Sequence, residues 1–121
     1  MKASLKLHKY LFLYGYLYGH LIGSQVDKTR FEWDAAKDLA NQSKHHVAFA
    51  LAQFAFADPR RVMAQDMRHS NAEPRFYCFG WVNEGVLTVR FTYREGLIRI
   101  IGAGYWRKGK LIYEEKNQLH R

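Results

Sequence analysis

The sequence predicts an α+β fold, two helices packed on a four-stranded antiparallel sheet with a further helix at the C-terminal end. Three observations carry this. Helix-forming and apolar residues recur at helical spacing from Asp34 to Phe56, the period changes to two after Pro59, and Gly102-Ala103-Gly104 separates the last β-branched run from a segment that again reads as helix. With 121 residues, 48% of them hydrophobic and 16% aromatic, the chain can close one core and is too short to divide comfortably in two.

Residues 1–30 stand apart from this pattern. Met1 to Lys9 is basic, and Tyr10 to Gly23 is apolar but broken by three glycines, four tyrosines and His20. These fourteen residues fall short of the roughly 20 that span a bilayer, and no A-x-A cleavage site follows them. A membrane-surface segment, an extra structural element and sequence lying ahead of the domain are the three readings. The composition change at Phe31 favours the last, so residues 1–30 are taken as an N-terminal extension and 31–121 as the domain.

Asp34 is placed to cap a helix through Ala35-Ala36-Lys37-Asp38-Leu39-Ala40-Asn41 that ends near Lys44-His45-His46, with Trp33, Ala36, Leu39 and Ala40 as its apolar face. A second helix, Phe49 to Phe56, is closed by Asp58-Pro59. Strands are expected at Arg61 to Gln65, Arg75 to Val82, Val86 to Tyr93 and Leu97 to Ile101, joined by a polar loop (66–74) and by turns at Asn83-Glu84-Gly85 and Arg94-Glu95-Gly96. In the third strand Leu87, Val89, Phe91 and Tyr93 face the helices and Thr88, Arg90, Thr92 and Arg94 face out. Ile98 and Ile100 point inward in the fourth, leaving Arg99 outside beside Arg90 or Arg94. Parity leaves the direction of Arg75 open.

The net charge of +8 and a pI near 9.7 favour an anionic partner. Half of that charge lies in residues 1–30, so the domain itself is moderately basic. The lone Cys78, in the run Phe76-Tyr77-Cys78-Phe79, excludes an internal disulfide, fits a reducing cytoplasm and reads as a small buried hydrophobe. No CxxC, HExxH or other metal-ligand spacing occurs, so neither metal nor cofactor is expected. Arg99 to Lys110 reads instead as strand, glycine turn and helix start, with Arg107, Lys108 and Lys110 at the positive end of the helix dipole. An external anion would relieve that repulsion, which makes the turn a candidate phosphate site. A sheet face carrying arginines and rimmed by Tyr105 and Trp106 suits single-stranded RNA. His45 reads either as a cation at the helix C-terminus or as a proton donor.

Phe31-Glu32-Trp33-Asp34, Lys37, Asn41, Lys44-His45-x-Val47-x-Phe49, Phe56-x-Asp58-Pro59, Arg75-Phe76, Gly80, Arg99-Ile100-Ile101 and Tyr113-Glu114, in that order, resemble the BrnT family, toxins of bacterial type II toxin–antitoxin pairs. The resemblance runs from Phe31 to about Glu115. It implies a RelE-like fold and a ribonuclease that inhibits translation. It also implies a cognate BrnA-like antitoxin with a ribbon-helix-helix part, heterotetrameric assembly with it, and DNA contact only through that antitoxin. Two positions depart from the family pattern. His46 stands where glycine is common, and Gly104 where many members carry arginine.

Metal-free RNA cleavage needs the ribose 2′-OH deprotonated, charge on the phosphorane stabilised and the leaving 5′-oxygen protonated. The resemblance, with this chemistry, assigns Arg75, Arg99 and Arg107 to phosphate charge. His45 becomes the proton donor and Tyr105 a second acid or stacking platform. Lys44, Arg90, Arg94, Trp106, Lys108 and Lys110 are the expected RNA contacts. The same basic face also suits a non-catalytic RNA-binding or protein-interaction module.

Overall fold

The computed structural model describes residues 10–12, 30–68 and 72–119. Asp34 caps α1 (Ala35–His45), its carboxylate accepting the Lys37 N–H at 3.0 Å. The helix stops at His46, a left-handed residue with φ 61° and ψ 31° whose N–H donates to the Gln42 carbonyl at 3.0 Å. Helix α2 (Phe49–Ala52) tightens into a 3-10 helix, Gln53–Ala57, which ends before Pro59 as its sequence demands.

The antiparallel meander follows, as β3 (Val62–Asp66), β4 (Phe76–Val82), β5 (Gly85–Arg94) and β6 (Leu97–Gly104). Its two tight turns carry positive φ at Asn83 and Glu84 and at Glu95 and Gly96, the backbone that two-residue hairpins require. The final helix, α3, spans Arg107–Lys116.

The sheet is larger than four strands and is not purely antiparallel. β2 (Phe31–Trp33) pairs parallel to β6, and β1 (Tyr10–Phe12) pairs antiparallel to β3, giving six strands in the order β1-β3-β4-β5-β6-β2. A strand therefore precedes the first helix. Both added strands are three residues long, too short for alternation to register in the sequence. Of the N-terminal extension only Tyr10–Phe12 and Arg30 are described, so the rest of that reading lies outside the described residues, as does 69–71 of the polar loop.

Two further expectations are corrected. The glycine stretch is not a turn: Gly102 to Gly104 completes β6, and α3 begins at Arg107. Nor does α1 bury Ala36, Leu39 and Ala40, for Leu39 is 66% exposed and Asn41 is the helix's buried residue. Polar bonds hold α1 down instead. Asn41 donates from Nδ2 to the carbonyls of Val47 and Ala103, both at 2.9 Å, and accepts the Ala103 N–H at 3.2 Å. Asp38 accepts the Phe49 N–H at 2.9 Å. Asn41 thus satisfies the β6 edge just beyond the stretch paired by β2.

Both faces of the sheet are packed. Phe49, Phe56, Cys78, Leu87, Val89, Phe91, Ile98 and Ile100 form the larger core beneath α2 and the 3-10 helix. Cys78 is fully buried there, its thiol pKa pushed up by desolvation, as expected of a small hydrophobe. On the opposite face Ile112 and Tyr113 of α3 join Val62, Phe79 and Val86. The close approach needs Gly109, since a Cβ there would collide with Thr88 Oγ1 and meet Phe79 Cδ1 at 3.1 Å. Thr88, expected in solvent, is consequently 4% exposed.

Candidate functional site

A β-bulge decides which side chains share the outer face. Arg90 pairs with Gly102 but Phe91 with Ile100, so Ile101 is an extra residue in β6. The inward parity of Ile98 and Ile100 therefore passes to Ala103, and Arg99, Gly102 and Gly104 all face outward. Successive rows cross that face. The first comprises Asp66, Arg75, Thr92 and Arg99, the second Ala64, Tyr77, Arg90 and Gly102, and the third Val62, Phe79, Thr88 and Gly104. Arg75, Arg90 and Arg99, from three strand regions, thus lie in adjacent rows of one face.

A cleft of about 540 Å³ opens over the second row, bounded by α1 on one side and the start of α3 on the other. Lys37, Asn41, Lys44 and His45 form the α1 wall, Arg90 and the side-chain-free Gly102 the floor, Lys108, Gly109 and Trp106 the α3 wall, and Tyr10 and Tyr77 the far end. The imidazole of His45 meets the Trp106 indole edge to face, ring centroids 5.0 Å apart. Trp106 is the N-cap of α3 and supplies no capping side-chain bond; the first intrahelical bond is from the Lys110 N–H to the Trp106 carbonyl at 3.1 Å. The N–H groups of the first turn face outward from that end. Beside them Thr88 Oγ1 is buried and has no hydrogen-bond partner among the described residues.

Arg90 is steadied by Asp66 of the adjoining row, a 2% exposed carboxylate 3.9 Å from its Nη2. Asp66 also accepts the Arg68 N–H at 3.0 Å. Burial, and after it the charge of Asp66, raises both neighbouring phenols, Tyr77 to about 12.

Of the eleven residues named from the sequence, Lys44, His45, Arg90, Trp106 and Lys108 line the cleft. Arg75 and Arg99 sit one row away, paired with Glu73 at 3.8 Å and Glu32 at 3.3 Å. Arg94 binds Glu73 at 3.2 Å and lies further along β5. Arg107 and Lys110 are exposed in the first turn of α3 without lining the cleft, and the Tyr105 hydroxyl donates to the Val82 carbonyl at 2.9 Å.

Sequence reasoning passed over Lys37, Asn41, Asp66, Thr88, Tyr10 and Tyr77 as site residues. One signal was available: Lys37, Asn41, Lys44 and His45 follow the i, i+4, i+7, i+8 stripe of a helix face. Among the described residues no three His, Cys, Asp or Glu side chains gather as a metal site, and no helix is long and apolar enough to cross a membrane.

A family model described as "Ribonuclease toxin, BrnT, of type II toxin-antitoxin system" matches residues 33–109. None of the curated proteins compared with the chain matches it.

Proposed function

The chain belongs to the BrnT family of type II toxin–antitoxin ribonuclease toxins, and from that premise we propose a metal-independent endoribonuclease that inhibits translation by cutting RNA in this cleft. The observation that carries the reading is the meeting of His45, Lys44, Arg90 and Lys108 around one cavity, on the sheet face that also bears Arg75 and Arg99.

RNA cleavage of this kind proceeds by attack of the 2′-oxygen on phosphorus. The P–O5′ bond breaks, a 2′,3′-cyclic phosphate forms, the 2′ proton passes to solvent, and the 5′-oxygen takes up a proton. His45 supplies that last proton, the role for which an imidazole is suited near neutral pH. Charge gathering on the phosphorane falls to Arg90, Lys44 and Lys108 together with the first-turn N–H groups of α3. One well-placed donor of this sort contributes roughly 3 to 4 kcal/mol to the transition state. Arg75 and Arg99 hold the adjoining phosphates, since a guanidinium fork binds phosphate oxygens in pairs and keeps its proton.

Neutralisation by a cognate ribbon-helix-helix antitoxin, with DNA reached only through it, completes the reading, in the cytoplasm where the RNA lies. Its test is incubation of the purified protein with labelled RNA in excess chelator. Defined fragments are expected from wild type, and neither fragments nor growth inhibition from His45→Ala and Arg99→Ala proteins whose circular dichroism is unchanged. Full toxicity of both variants would overturn the site, and a mobility shift without fragments would overturn the enzyme.

A further inference from the structure

The end of the cleft away from α1 is aromatic, and one of its rings comes from outside the family-matched stretch. Tyr10, on β1, pairs with Asp66 in register and brings its ring onto Tyr77 at 75° with centroids 5.5 Å apart, and onto Phe79 at 83° and 6.3 Å. Tyr77 and Phe79 stack at 14° and 5.7 Å. Phe79 is buried, whereas Tyr10 and Tyr77 are half-buried and line the cavity.

We propose that Tyr10 and Tyr77 form a nucleobase-stacking subsite, so that β1 takes part in RNA binding. The inference rests on the ribonuclease reading and names where a base adjoining the bound phosphate goes. Tyr77 is the direct cross-strand neighbour of Arg90, so a phosphate on that guanidinium is one residue from the aromatic wall. A single RNA strand alternates charge with flat apolar faces, and this cavity alternates cations from α1 and the floor with rings from β1 and β4. Asp66 serves both halves, holding Arg90 and facing the two phenols, whose raised pKa values keep them uncharged beside a phosphate.

The test uses the full chain and a labelled 2′-O-methyl oligoribonucleotide that binds without being cut, beside an abasic 2′-O-methyl ribose-phosphate chain of equal length. Fluorescence anisotropy is expected to show that Tyr10→Leu weakens binding of the base-bearing strand about tenfold, in the range of one lost stacking contact. The abasic strand should change less than about twofold, and Tyr10→Phe should bind both like wild type. Equal loss on both strands, or none, overturns the subsite while leaving the ribonuclease reading intact. Wild-type protein that binds neither strand and cuts no RNA overturns both. In the unmodified protein, a 5-iodouridine strand irradiated in complex should crosslink to Tyr10 or Tyr77 by mass spectrometry. Crosslinks confined to other residues also overturn the subsite.

Discussion

The Trp106 indole lies over Gly104 so closely that a Cβ at residue 104 would collide with its six-membered ring. The same indole meets the His45 imidazole edge to face. An arginine at 104, the common choice in the resembled pattern, is therefore incompatible with Trp106 in this position, and the two residues form one unit. Gly104→Ala should displace the indole and destabilise the protein by about 1–3 kcal/mol. Adding Trp106→Ala removes the collision, so in urea unfolding the double variant should fall short of the summed single costs by a similar amount. Additive costs would show that the ring does not need the missing side chain.

His46 occupies the left-handed position that ends α1, where a Cβ is unfavourable by roughly 1–2 kcal/mol and glycine is not. His46→Gly should accordingly raise the urea midpoint by an amount equivalent to about 1 kcal/mol. His46→Ala should bring no such gain, because alanine keeps the Cβ. A His46 selected for contact with RNA rather than for the cap would show instead as weaker RNA binding in the glycine variant.

The meander was legible because β4, β5 and β6 are long enough for alternation to show, and their turns carry residues suited to positive φ. The flanking strands were not, since Phe31–Trp33 and Tyr10–Phe12 are fixed by pairing with β6 and β3 rather than by any local pattern. The apolar face assigned to α1 failed for a related reason. Leu39 and Ala36 satisfy helical spacing, but spacing does not say whether a partner lies opposite, and the helix is held by Asn41 and Asp38 through bonds to Ala103, Val47 and Phe49. The site divided along the same line. Lys44, His45, Arg90 and Lys108, which line the cleft, could be named from their chemistry, whereas Tyr10 reaches the cleft, and Asp66 reaches Arg90, only through long-range register.

Asn41 makes three buried hydrogen bonds, two of them to the same β6 residue, Ala103. Asn41→Leu would leave two carbonyls and an N–H without these partners and should cost about 2–4 kcal/mol. Asn41→Asp keeps an acceptor for the Ala103 N–H but turns carboxylate oxygen toward both carbonyls. It should therefore be more stable at pH 4, where its proton can be donated, than at pH 8. Urea midpoints at the two pH values check this, and a pH-independent Asp variant would mean that the carbonyl contacts contribute little.

The phenols of Tyr113 and Tyr77 both lie above the ordinary tyrosine value. Tyr113 is raised first by burial and then by its 2.6 Å bond to Asp58 Oδ2, and Tyr77 is raised to about 12 by burial and Asp66. In each case the folded state holds the proton more tightly than the unfolded chain. Their contribution is fully present below pH 10 and is lost as the pH rises through the folded values, so stability should begin to fall above pH 10. Tyr113→Phe should be less stable at pH 8, for want of the Asp58 bond, yet should lose less of its stability between pH 9.5 and 11. Parallel wild-type and Phe curves over that interval would contradict the linkage.

Tyr105 and His45 make the sharpest contrast among the residues named from the sequence. The Tyr105 hydroxyl donates to the Val82 carbonyl, and its ring packs against Gly85, away from the cavity that His45 lines. Tyr105→Phe should cost roughly 0.5–1.5 kcal/mol of stability for the lost bond and leave kcat within about twofold. His45→Ala should do the reverse, lowering kcat by about 10²–10⁴ with little change in unfolding midpoint, since the ring's contact with Trp106 is partly exposed. Single-turnover cleavage of one labelled RNA, measured beside urea unfolding of the same preparations, separates the two. A hundredfold loss of rate in Tyr105→Phe would require the hydroxyl to leave Val82 and reach the RNA, and would return Tyr105 to the catalytic set.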